Sequence, residues 1–314
     1  MDLVRHRYLR RIPGGPWSCA TLAPDEEAEL RVAYDERQTL RRGLLDRWLR
    51  PFKSLSPSAW KPALTVDAWR AAGITLEEVP VERLSVEQIA LAHEPAYVRD
   101  VLAGARPNGF GNTLPSVAET LPWTTGSMAT AALVAARDGG AVASPTSGFH
   151  HAGYDEGGGF CTFNGLVIAA RLVRAAVPDR DVGILDLDMH YGNGTDDILR
   201  RLDLGWVRHW TFGEHDITPT SAEGWLARLP AIVEGFAGCS VLLYQAGADP
   251  HIDDPLGGAL TSGQFARRDA LVFDGCRALG LPVAWNLAGG YQEPISRVIE
   301  LHVATARACV RAFP

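Results

Sequence analysis

Asp186-Leu187-Asp188-Met189-His190 places three groups that can bind or support a metal at every second residue, directly after a run of apolar residues. In extended backbone, residues i, i+2 and i+4 share one face. Asp188 and His190 can therefore reach one cation together, with Asp186 on the same side. A tandem pair of imidazoles, His150-His151, lies upstream in Ser147-Gly148-Phe149-His150-His151-Ala152-Gly153. A metal that acidifies water, with histidines to move its proton, is the equipment of a hydrolase. Two carboxylates and one imidazole with a vacant fourth position describe a catalytic site rather than a closed structural one. Zn²⁺ fits this donor set, and Fe²⁺ or Co²⁺ also suits it. The third ligand must come from elsewhere in the chain. Asp254, in Ala246-Gly247-Ala248-Asp249-Pro250-His251-Ile252-Asp253-Asp254-Pro255, is the first candidate. Asp249, Asp253 and His251 are alternatives that spacing does not exclude.

Three short apolar runs position these groups. Residues 182–187, 240–245 and 281–287 read as strands buried on both faces. Helical stretches at 163–176, 222–236, 262–279 and 293–312 alternate with them, as βαβ units of a parallel sheet do. Further helices are expected from Ser85, over Pro95 to Leu102 and over Gly126 to Arg137. Residues 104–123 read as a surface loop, and residues 1 to about 80 as loops and short helices. The fold class that follows is α/β, with a mostly parallel sheet and one domain over 1–314. Ligands of open parallel sheets bind beyond the carboxyl ends of the strands. Asp186, Asp188 and His190 end the first run, Asp249 to Asp254 follow the second, and Gly289-Gly290-Tyr291 follow the third. The Gly-Gly-Tyr turn can aim a phenol at an oxyanion.

The chain has 314 residues, 46% hydrophobic and 21% charged, enough to bury a large core. Its formal net charge of -7 lacks the basic stripe of a nucleic-acid scaffold. Five widely spaced cysteines with no CxxC suggest neither a disulfide framework nor a cysteine metal site. The first residues lack the apolar core of a signal peptide, and no window has the apolar length of a membrane span. A cytoplasmic protein with no membrane or nucleic-acid partner is the expectation.

Taken together, Gly148-Phe149-His150-His151-Ala152, Asp155 through Phe160-Cys161, Leu185 through Gly194, Ala246-Gly247-Ala248-Asp249 with Asp254-Pro255, and Gly289-Gly290-Tyr291 resemble the zinc-dependent histone deacetylase family. The resemblance covers about residues 85–312 in order. Leu256-Gly257-Gly258, Arg268 through Phe273 and Gly290-Tyr291-Gln292 look closest to the class IV branch and its bacterial relatives. It implies the three-layer α/β/α arginase/deacetylase fold. It also implies Zn²⁺ on Asp188, His190 and Asp254, with His151 as general base and later proton donor. His150 would support His151 and be oriented by Asp186, while Asn193 would orient His151. Tyr291 would donate to the oxyanion, Phe160 would wall an acyl-lysine channel, and the Gly159 carbonyl would accept the substrate amide N–H. The implied substrate is an acylated lysine or a small acylated amine.

Several positions depart from that pattern. Ala288 replaces a glycine before the Gly-Gly-Tyr turn. The loop Glu214-His215-Asp216-Ile217-Thr218-Pro219 lacks the usual second aromatic wall, so Ile217 or Thr218 would line a wider groove open to longer acyl chains. Asn112 is nearest to the place where some relatives use Asp to grip a peptide backbone. Relatives carry structural K⁺ near the Asp186 loop, and Arg208 falls where a hydroxyl ligand is expected. An acetylpolyamine deacetylase and a non-catalytic acyl-lysine binding module are the alternative functions; an arginase-like two-metal enzyme is disfavoured by His151.

Overall fold

The computed structural model describes residues 29–40 and 57–314, together with the backbone of two short antiparallel strands, β1 (Tyr8–Arg10) and β2 (Ser18–Ala20). Seven further strands form one sheet: β3 (Glu29–Ala33), β4 (Thr75–Val79), β5 (Ala141–Ser144), β6 (Val182–Asp186), β7 (Val207–Thr211), β8 (Leu242–Gly247) and β9 (Val283–Ala288). Their order is β4-β3-β5-β9-β8-β6-β7, and every pair is parallel. The α/β class and parallel sheet expected from the sequence are present.

Strand alternation divides the core in two. Leu185, Leu242, Tyr244, Val283 and Trp285 point to one face. There they meet α1 (Lys61–Ala71), α8 (Ala222–Glu234), α9 (Ser262–Ala278) and α10 (Ser296–Ala312). Val182, Ile184, Val241, Leu243 and Ala284 point to the other. There they meet α2 (Val86–Ile89), α3 (Pro95–Leu102), α5 (Leu121–Asp138), α6 (Gly165–Ala176) and α7 (Asn193–Arg201). Both faces of β6, β8 and β9 are covered, so these strands read as unbroken apolar text rather than alternation.

The remaining strands are less legible. Two of them, β3 and β4, and helix α1 occupy part of the stretch expected to hold loops and short helices. Most of β4 (Thr-Leu-Glu-Glu-Val) is accessible at the sheet edge, where charges are tolerated. The Val-Arg-His-Trp-Thr strand β7 lies at the opposite edge. Helix α4 (Pro115–Ala118) and the first turn of α5 fall inside the expected 104–123 loop. Their prolines stand in the first helical turn, where the missing N–H has no cost, rather than in turns. Among the described residues no helix is long and apolar enough to cross a membrane.

Trp285 lies at the centre of β9, fully buried, with its ring 5.5 Å from Trp69 and 5.9 Å from Phe273. Trp285→Ala is expected to lower the unfolding free energy by about 3–5 kcal/mol. Urea titration followed by circular dichroism measures it; a shift below about 1 kcal/mol would mean that the two tryptophans do not anchor this face.

Candidate active site

Four neighbouring strands, in the order β5-β9-β8-β6, deliver the site from their carboxyl ends. The segment after β5 brings His150 and His151, β9 leads into Gly289-Gly290-Tyr291, β8 into Asp249, and β6 into Asp186, Asp188 and His190. Residues spread over more than a hundred positions thus converge where parallel strands end.

Asp188, His190 and Asp249 each offer a ligand atom, all within 4.8 Å of one another. The His190 Nδ1 faces Asp188 Oδ1 at 3.1 Å and Asp249 Oδ2 at 2.9 Å. Both carboxylates are buried, and Asp249 Oδ2 receives no aligned hydrogen bond. Burial, followed by repulsion from Asp188, pushes the Asp249 carboxyl up to about 7. Hydrogen bonds to Asp188 and then Asp249 lift His190 to about 10. This pocket draws positive charge, and two carboxylates with an imidazole at these separations fit a divalent cation.

Asp249, one of the alternatives that spacing left open, stands in this cluster with Asp188 and His190. Asp254 lies near enough to both for their charges to act on it. Its Oδ1 accepts the Leu256 N–H at 3.0 Å and its Oδ2 the Tyr291 N–H at 2.7 Å, and each oxygen keeps a further lone pair. Asp254 thereby fixes the turn that presents Tyr291. A Cβ at Gly289 would lie 2.3 Å from the Asp249 carboxylate, so only glycine lets this turn (φ 48°) pass so close.

The two imidazoles differ in their partners. His150 is buried, and its Nδ1 meets Asp186 Oδ2 at 2.7 Å. Burial opposes its charge, but Asp186 and Asp188 outweigh burial and raise it to about 9. His151 bonds the neutral Asn193 Oδ1 at 2.6 Å through Nδ1. Burial, then the neighbouring His150, lowers its pKa. The rings are 4.1 Å apart, and His151 lies 5.9 Å from the His190 ring. A cationic imidazole thus stands beside a neutral one that can accept a proton. Burial, followed by Asp188 and Asp249, raises the Tyr291 phenol far above its ordinary value, which keeps it a donor.

Gly158 to Cys161 form a tight turn in which Cys161 N–H donates to Gly158 C=O at 2.8 Å. Gly159 (φ 53°) passes so near His151 that a Cβ would fall 2.3 Å from its Cδ2. Phe160 holds a left-handed backbone (φ 65°), and its ring lies 6.1 Å from Tyr291 and 5.9 Å from Phe110. Phe110, unremarked in the sequence, is the second aromatic on that wall. Ile217 is buried and belongs to the hydrophobic cluster that also holds Trp225, whereas Thr218 beside it is exposed. The Asn112 Oδ1 accepts from Asn108 Nδ2 and Leu114 N–H, stapling its own loop. Arg208 opposes Gly183 and pairs with Asp181 at 2.8 Å, away from the Asp186 loop. Thr211 opposes Asp186 instead, and its hydroxyl accepts from Gly192 N–H at 3.2 Å.

Other supporting residues have no sequence signal. Gln245 donates to Asp186 Oδ1 at 2.9 Å and accepts the Phe149 N–H at 3.0 Å, bridging strand and histidine segment. Lys61 is buried and donates to the Gly289 carbonyl; burial lowers its amine to about 8 against the pull of Asp249, Asp188 and Asp254.

Residues 58–204 match the family model described as a histone deacetylase domain. An uncharacterised protein of Picosynechococcus sp. is 29% identical over 267 residues, covering 75% of this chain and 88% of its own. Acetylpolyamine amidohydrolase 1 of Pseudomonas aeruginosa is 31% identical over 45% of this chain and 48% of its own length. The crystal structure of an acetylpolyamine aminohydrolase from Burkholderia pseudomallei superposes with TM-score 0.67 at 22% identity, covering 90% of this chain and 98% of that one. It establishes the shared fold.

Asp254→Asn, at the position the resemblance implies as the third ligand, is expected to weaken Zn²⁺ binding beyond the roughly 10–100-fold typical of an outer-shell partner, and Asp249→Asn to weaken it within that range. Chelator competition on both variants checks this, and wild-type affinity in Asp254→Asn would overturn its assignment.

Proposed function

We propose, for a chain that belongs to the histone deacetylase family, that it is a metal-dependent amidohydrolase removing an acyl group from an acylated amine. The observation that carries the reading is the joint geometry of Asp188, His190 and Asp249 with a neutral His151, a cationic His150 and a protonated Tyr291. Asp188, His190 and Asp254 would hold Zn²⁺, with Asp249 beside Asp188 and His190; Fe²⁺ or Co²⁺ has the same donor preference within this set. The bound ion would supply Lewis acidity toward the amide carbonyl and acidify a water.

The protein's own groups then divide the proton work. His151, kept neutral by burial and by His150, accepts the proton of the attacking water and returns it to the leaving amine. His150, charged through Asp186, holds positive charge beside the developing oxyanion and disfavours a second imidazolium at its neighbour. Asn193 fixes the His151 ring through Nδ1 and leaves Nε2 for the proton transfer. Tyr291 donates to the oxyanion, and Phe160 with Phe110 walls the approach. Thr211 offers the hydroxyl that a structural K⁺ beside the Asp186 loop would use.

The substrate class is an acyl-lysine side chain or an acylated polyamine. The second is favoured by the likeness to the proteins named acetylpolyamine amidohydrolase from Pseudomonas aeruginosa and Burkholderia pseudomallei. Tyr291→Phe is expected to lower kcat/KM on an acetyl-lysine reporter by about 10²–10³, the usual effect of one lost oxyanion donor. His151→Ala is expected to abolish turnover. Metal content should remain in both, and unchanged rates would overturn the roles. Running acetylputrescine beside the reporter ranks the two substrate classes. Asn193→Asp puts a carboxylate at His151 Nδ1, which favours the imidazolium. The acid limb of the kcat/KM profile is therefore expected to move to higher pH by about 1 unit or more. A profile that stays put or moves down would remove His151 as the titrating base.

A further inference from the structure

We propose that Phe110 is a positioning residue for the substrate channel: it acts through Phe160, whose ring it holds in place, and so sets the grip on the linear arm of the acylated amine. This rests on the reading of Phe160 as a wall of that channel. Phe160 is the second central residue of the tight turn from Gly158 to Cys161, in which the Gly158 N–H also donates to the Cys161 carbonyl at 3.0 Å. Both central residues, Gly159 and Phe160, have positive φ. A turn of that hand takes Gly, Asn or Asp at low cost, and a bulky side chain in it is strained. Such strain persists only where the surroundings over-determine it.

The loop 108–112 supplies those surroundings. The Gly109 carbonyl accepts the Phe160 N–H at 3.1 Å, and the Gly109 N–H donates to Thr162 Oγ1 at 3.0 Å. The two backbones are in contact, since a Cβ on Gly109 would fall 2.1 Å from the Cys161 carbonyl oxygen. Phe110 comes next and is fixed by its own loop. Asn108 Oδ1 accepts the Phe110 N–H at 2.9 Å, Asn108 Nδ2 donates to Asn112 Oδ1 at 2.9 Å, and the Gly111 N–H donates to the Asn108 carbonyl at 2.8 Å. The Phe110 ring then meets the Phe160 ring at 5.9 Å with a tilt of 44°, and Phe160 in turn meets Tyr291 at 6.1 Å. An alkyl chain held between two rings needs about 7 Å or more between them, twice an ordinary carbon contact. The gap between Phe110 and Phe160 is narrower than that, so no substrate arm passes through it. Tilted rings at this separation attract each other. Phe110 is therefore a buttress of Phe160 and not an opposite wall of the channel.

The experiment is a double-mutant cycle in steady-state kinetics on the full chain, using whichever of the acetyl-lysine reporter and acetylputrescine the wild type turns over faster. Phe110→Ala is expected to raise KM by about 2–10-fold, the coupling of one aromatic pair, with kcat kept. The split follows because contact with the arm is the same in ground and transition states. In a Phe160→Ala background the same change is expected to add nothing further, since a residue that acts through a ring loses its effect with that ring. Phe110→Leu keeps part of the packing and should restore part of the KM. A merely structural role would instead lower the active fraction, and kcat with it. Asn108→Ala loosens the loop with both rings kept, and is expected to raise KM by less. If Phe110→Ala fails to fold by circular dichroism, Phe110→Leu and Asn108→Ala, each alone and with Phe160→Ala, decide. Wild-type KM in the folded variants, a loss carried by kcat alone, or losses that multiply in the double variant overturn the positioning role and leave the amidohydrolase reading standing. Wild-type protein that turns over neither substrate overturns that reading and this role with it.

Discussion

Asp188 and Asp249 put two carboxylates into one buried pocket, and that repulsion is the constraint around which the rest of the site is arranged. Like charges in a water-poor place each raise the cost of ionising the other, which is why burial and Asp188 together push Asp249 so far up. The pocket answers by collecting positive charge: His190 between the two carboxylates, His150 within 3.6 Å of Asp188, and Lys61 behind the Gly289 carbonyl. A divalent cation at the centre relieves the same repulsion with one charge in place of several. It would also lower the neighbouring imidazoles, since a cation disfavours the protonated form.

The fold meets this constraint with backbone rather than with long side chains. Asp188 and Asp249 leave neighbouring strands, so the sheet spacing sets their approach before any side chain is chosen. Gly247 and Gly289 then allow contacts that a Cβ would block. This is a reason for a parallel sheet buried on both faces: the strand ends are rigid because the strands cannot move without opening two cores.

The sequence made β6, β8 and β9 legible because double burial leaves unbroken apolar runs. Asp186, Asp188 and His190 could be read from period-two spacing beyond one of them. Asp249 could not be separated from Asp254 in the same way. Both follow β8 within a few residues, and the choice depends on how the loop turns back. The Ala248 N–H still bonds Ala288, which keeps Asp249 at the strand exit, whereas Asp254 has turned to meet Tyr291. The burial of Ile217 was not legible for a related reason. Its neighbours His215, Asp216 and Thr218 are exposed, and composition does not say that one residue of such a loop turns inward. Arg268 stood out only as part of a family-like segment, because its partners are main-chain carbonyls that carry no residue identity.

The tandem histidines show how much of the chemistry lies in second partners. Adjacent residues of one type occupy nearly the same place, with rings 4.1 Å apart, yet their protonation preferences diverge. Asp186 and Asn193 account for the divergence. A carboxylate on His150 Nδ1 stabilises the cation there, and that cation makes a second one at His151 unfavourable. The amide on His151 Nδ1 fixes the ring without restoring its charge. One charged partner therefore sets both states, the nearer by attraction and the farther by the repulsion it creates. Exchanging the partners would exchange the roles, and the pair would then carry its positive charge on the more accessible ring, where a base is required.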